Sequence, residues 1–76
     1  METKEWKAAV IGAGAIAGHH LKAIGETDGL TACAVADIDL GRAEAVAARF
    51  GIRAYGSAED MIEREAPDIV AISLPH

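Results

Sequence analysis

The chain has 76 residues, 51% of them hydrophobic, and a formal net charge of −5 from 12 acidic and seven basic side chains. That length allows one small domain at most, and that apolar content excludes a disordered tail. An acidic balance with scattered Lys and Arg argues against nucleic acid or an anionic membrane surface as partner, since both need a basic face.

In chain order, the opening Met-Glu-Thr-Lys-Glu carries charges of both signs and no signal-type apolar stretch follows it. Lys7 to Ile11 reads as the first strand. Ala15 to about Glu26 reads as the first helix, with Ile16, His20, Ala23 and Ile24 on one face, stopped by the turn residues Thr27-Asp28-Gly29. Leu30 to Ala36 is nearly continuous in apolar or small residues, as a strand buried on both faces should be. Within it Cys33, the single cysteine, reads as a small core residue without a disulfide partner, which suits a cytoplasmic protein.

Asp39 is a good N-cap for a second helix, Leu40 to Phe50, which Gly51 ends. Arg53 to Tyr55 is a short third strand. Ser57-Ala58-Glu59-Asp60 resembles a capping box and opens a third helix to about Glu65. Ile69 to Ile72 is the fourth strand. No apolar run is long enough to span a membrane. Strictly alternating strands and helices imply an α/β fold with a doubly wound parallel sheet, right-handed crossovers and strand order 3-2-1-4.

The chemistry is concentrated where the first strand meets the first helix. Gly12-Ala13-Gly14-Ala15-Ile16-Ala17 follows the strand directly, and Asp37 closes the second strand roughly twenty residues further on. This is the pattern of a dinucleotide-binding βαβ unit. Gly12 permits the sharp turn, Gly14 lets the backbone approach a pyrophosphate, and Ala17 lets helix and strand pack closely. The helix start offers free N–H groups and a positive dipole end to phosphate. Asp37 is read as the ligand of the adenosine ribose rather than as a turn cap alone. Ligand is expected outside the C-terminal ends of strands one and four, where the strand order reverses.

Together, Val10 to Ala17 with His20-Leu21, Ala34-Val35-Ala36-Asp37, Arg42-Ala43-Glu44-Ala45 and Ser73-Leu74-Pro75 resemble the N-terminal half of the glucose-fructose oxidoreductase / inositol dehydrogenase / MocA family. The resemblance runs from about Lys7 to His76. It implies a Rossmann-type dinucleotide-binding domain, of which residues 1–76 would be the N-terminal part, without the later strands and the C-terminal substrate domain. The implied activity is hydride transfer between a nicotinamide cofactor and a sugar, inositol or related polyol. It also implies that Gly12, Gly14 and the backbone of Ala15 and Ile16 hold pyrophosphate, and that Ser73, Leu74 and Pro75 flank the nicotinamide ribose. The chain departs from the family where His76 follows Pro75 in place of the usual Asn. The family's catalytic Glu-Lys-Pro segment lies further along, so no residue here receives a proton-transfer role.

Asp37, followed by the uncharged Ile38, favours NAD over NADP, because a 2′-phosphate would meet a carboxylate with no cation at the next position. Arg42 is read mainly as a solvated charge early in an exposed helix. Adjacent His19 and His20 point about 100° apart, so no metal site is assigned. The apolar edge of the fourth strand is expected to promote self-association. The alternative function is a regulatory module that senses NAD without turnover; a further reading is a fragment that binds nothing.

Overall fold

A computed structural model of the chain describes residues 5–73. Its elements are β1 (Trp6–Ile11), α1 (Ala15–Gly25), β2 (Leu30–Ala36), α2 (Leu40–Phe50), β3 (Arg53–Tyr55), α3 (Ala58–Glu65) and β4 (Ile69–Ile72). The strands form one four-stranded sheet in the order β3-β2-β1-β4, and every pairing is parallel. The doubly wound α/β architecture expected from the sequence is the one observed.

Local chemistry accounts for most boundaries. Asp39 accepts a hydrogen bond from the Arg42 N–H at the start of α2, and Gly51 ends that helix at φ 66°. Ser57 accepts from the Asp60 N–H at the start of α3. That helix closes on Ala66, a non-glycine residue held at φ 46°, a conformation that costs an L-residue about 1–2 kcal/mol.

The core is built from small side chains, which lets the layers approach closely. On one face of the sheet, α1 and α2 pack Ala17, Leu21, Ile24, Ala43, Val46 and Ala47 over Ala8, Val10 and Val35. On the other, α3 drives Met61 against Ala9, Ala34 and Ala36. The buried stripe of α1 is Ala17, Leu21 and Ile24, which corrects the face expected from Ile16, His20, Ala23 and Ile24. Of that set only Ile24 is buried; the helix is turned by about one residue, roughly 100°, so that Ala17 meets the sheet and Ile16 faces outward.

β2 also departs from the expectation. Ala34, Val35 and Ala36 are buried, but the strand's first half is partly open and Cys33 is only half-buried. Ala8 pairs with Ala32 while Ala9 pairs with Ala34, so Cys33 is the extra residue of a bulge. As a result Cys33 and Ala34 both pack on the α3 face, while Ala32 and Val35 pack on the other. Among the described residues no helix is long and apolar enough to cross a membrane.

Candidate functional site

The turn from β1 into α1 is held on both sides by neighbouring strands. The Gly12 N–H donates to the Ala36 carbonyl at 2.7 Å, and the Ser73 N–H donates to the Ile11 carbonyl at 2.7 Å. Gly12 has φ +97°, and a Cβ there would sit 2.1 Å from the Ser73 carbonyl oxygen. Glycine is therefore required at position 12 by conformation and by space. The sharp turn was legible in the sequence; the close approach of β4 was not.

Gly14 differs in kind. It has φ −76° and ψ −171°, extended backbone open to any residue, and a Cβ there would meet no atom of the described residues within 4 Å. Among the described residues, nothing requires glycine at position 14. What its missing side chain preserves is open space at the N-terminus of α1, over a cleft of about 490 Å³. One wall of the cleft is the turn from Gly12 to Ile16, the other is Asp37, Ile38 and Arg42, and Ile11 and Ser73 close the end between β1 and β4.

The helix start is a set of donors. Gly14 is the N-cap and supplies no side-chain cap. The Ala17 N–H turns back to the Gly14 carbonyl at 3.0 Å, which leaves the amides of Gly14, Ala15 and Ile16 without a partner within the helix. Such amides, with the positive end of the helix dipole, favour an anion.

Asp37 faces them from the end of β2. Its Oδ2 accepts the Ala13 N–H and its Oδ1 accepts the Asp39 N–H, both at 2.8 Å. These two amides, Ala13 first, hold the carboxyl below its ordinary value of 3.8, with a smaller contribution from Arg42. The carboxylate therefore does cap its turn, and it also reaches across to the glycine turn. Beside it Ile38 is 99% exposed and Ile16 47% exposed, so the cleft has two uncovered apolar side chains at its mouth. Arg42 is exposed, as expected for a solvated charge, yet it lines the same cleft. Ser73 is buried and lines the cleft, whereas Leu74, Pro75 and His76 lie outside the described residues.

Sequence reasoning missed a second polar cluster on the α3 face. Glu65 is only 6% exposed. It accepts the Tyr55 hydroxyl at 2.6 Å and an Arg53 N–H at 3.5 Å. Lys7 donates to the Glu65 carbonyl at 2.5 Å. A glutamate on the buried stripe of a short helix was the available signal; its partners come from β3, 10 and 12 residues earlier, and from β1, 58 residues earlier. The Tyr55 carbonyl in turn accepts the Asp37 N–H at 3.0 Å, so this cluster braces the strand beside the cleft.

Residues 6–76 match the family described as "Oxidoreductase family, NAD-binding Rossmann fold", GFO_IDH_MocA. None of the curated proteins compared with the chain is a significant match. Among solved structures, an oxidoreductase from Agrobacterium radiobacter in complex with NAD+, L-tartaric acid and magnesium is 33% identical, with a TM-score of 0.86 over 95% of this chain and 21% of its own. The WlbA dehydrogenase of Chromobacterium violaceum, in complex with NADH and UDP-GlcNAcA, is 32% identical, with a TM-score of 0.84 over 99% of this chain and 22% of its own. KijD10, a 3-ketoreductase from Actinomadura kijaniata crystallised with TDP-benzene and NADP, is 27% identical, with a TM-score of 0.84 over 95% and 23%. The chain thus spans about a fifth of the length of these neighbours. With its parallel sheet, glycine turn and strand-ending carboxylate, the chain belongs to the GFO_IDH_MocA oxidoreductase family, whose NAD-binding Rossmann fold residues 6–76 match.

Proposed function

We propose that the chain is the cofactor-binding part of a cytoplasmic oxidoreductase that moves hydride between a nicotinamide dinucleotide and a sugar, inositol or related polyol. The observation that carries this reading is Gly14, a glycine that no described residue requires and that leaves room beside three helix-start amides. In this reading Gly12 shapes the turn, and Gly14, Ala15 and Ile16 hold the pyrophosphate. Asp37 takes the adenosine ribose, Ile38 packs on the adenine, and Ser73, Leu74 and Pro75 line the nicotinamide ribose. The cofactor, when bound, supplies the hydride chemistry; these residues bind and orient it. The substrate class rests on family membership and on neighbours that carry a sugar nucleotide or a hydroxy acid.

NAD is the preferred cofactor in this proposal. Asp37 stands ionised at the end of β2, and a 2′-phosphate carries about −1.5 to −2 charges. Arg42 offsets part of that repulsion but lies on the exposed surface of α2. Calorimetric titration of both cofactors into the protein and into Gly14→Val tests the reading. NAD should bind more tightly than NADP, and Gly14→Val should lose both. Equal NAD binding by wild type and Gly14→Val refutes it.

A further inference from the structure

Resting on that cofactor reading, we infer that Asp37 is also the positioning residue of the glycine turn, so that the ribose and pyrophosphate subsites form one coupled unit. Two consecutive amides of the turn are held by the end of β2: Gly12 N–H by the Ala36 carbonyl and Ala13 N–H by the Asp37 carboxylate. Ala13 is only 3% exposed, so without the carboxylate its N–H becomes a buried donor with no acceptor, a costly arrangement. Asp37 itself is fixed from the far side by the Asp39 N–H. The carboxylate thus spans the mouth of the cleft as a tie between its two walls.

The lone pairs permit both roles at once. A carboxylate offers about four acceptor positions. One on each oxygen is taken by a backbone amide, leaving one on each for the two hydroxyls of a ribose. The tie also sorts the donors of the turn: Ala13 N–H is committed to Asp37, so the pyrophosphate is left to Gly14, Ala15 and Ile16. An Asp37 substitution meant only to admit a 2′-phosphate would then loosen the pyrophosphate site as well.

Inorganic pyrophosphate separates the two roles, because it has no ribose to lose. Asp37→Asn and Asp37→Ser remove the same charge, but only the Asn side chain keeps an oxygen at the length needed to accept from Ala13. Pyrophosphate should bind Asp37→Asn about tenfold more tightly than Asp37→Ser, the scale of one retained hydrogen bond to a buried donor. Amide exchange at Ala13 should accelerate in the Ser variant and less so in the Asn variant. In the wild type the Ala13 amide proton resonance should titrate with the Asp37 carboxyl, at a pH below 3.8, a measurement that needs no variant to fold. Equal pyrophosphate affinities in the two variants, or an Ala13 resonance indifferent to acid, overturns the coupling. Failure of wild type to bind both NAD and pyrophosphate overturns the cofactor reading instead.

Discussion

Replacing Gly12 by Ala should remove a large share of the protein's stability, whereas the same change at Gly14 should leave it almost unaltered. At Gly12 the new methyl meets the Ser73 carbonyl oxygen at 2.1 Å, and the residue stays at φ +97°. The conformation alone costs about 1–3 kcal/mol. The clash is with backbone, so no side chain can swing aside to relieve it. Relief means parting β1 from β4 or lifting the turn, which loosens the Ser73-to-Ile11 and Gly12-to-Ala36 hydrogen bonds, each worth about 1 kcal/mol net. The sum is roughly 3–5 kcal/mol, against a total of about 4–11 kcal/mol for a domain of this length. Gly14→Ala places its methyl in open space and should change stability by less than about 0.5 kcal/mol. It should nevertheless weaken NAD binding about tenfold or more, because the methyl occupies the side from which the pyrophosphate approaches. Urea unfolding followed by circular dichroism, with NAD titration of each folded variant, reads both effects. A Gly12→Ala midpoint equal to wild type, or undiminished NAD binding by Gly14→Ala, would refute the division of labour between the two glycines.

Ala66→Gly should stabilise the protein by about 0.5–1 kcal/mol, because it relieves the left-handed cap of α3 at a smaller cost in chain entropy; thermal unfolding measures it. The chain has one tyrosine, so an absorbance titration follows Tyr55 directly. Its hydrogen bond to Glu65, helped by burial, raises it above the ordinary 10.0. The stabilisation it contributes is fully present below about pH 10 and is lost as pH rises through the folded-state value, and Glu65→Leu should bring the midpoint back toward the ordinary one. Ile69 and Ile72 are 43% and 61% exposed on the edge strand β4, so sedimentation should show self-association that Ile72→Lys reduces.

The strand and helix boundaries were legible because Asp39, Gly51 and Ser57 punctuate the chain with residues of narrow use. The glycine turn and Asp37 were legible for the same reason. The face of α1 was not: its sequence offers two apolar stripes sharing Ile24, and only the fit of Ala17 and Leu21 against the sheet selects between them. Nor did the sequence reveal that Asp37 spends half its hydrogen-bonding capacity on the protein's own amides. That depends on how close the β1 turn comes to the end of β2, a distance set by packing rather than by spacing along the chain. The pairing of Lys7 and Arg53 with Glu65 was hidden for the same reason.

The bulge at Cys33 sets the phase of everything downstream in β2. Side chains in a strand alternate between faces, so one supernumerary residue inverts the alternation for the remainder of the strand. Val35 consequently lies under α1 and α2 while Ala34 and Ala36 lie under α3, and Asp37 emerges on the side where Ala13 can reach it. Keeping Cys33 but forcing it into a regular ladder, without the bulge, would transpose these two sets and carry Asp37 away from the glycine turn. The bulge thereby absorbs one residue of β2, the half-buried Cys33, and keeps the carboxylate in frame with the glycine turn.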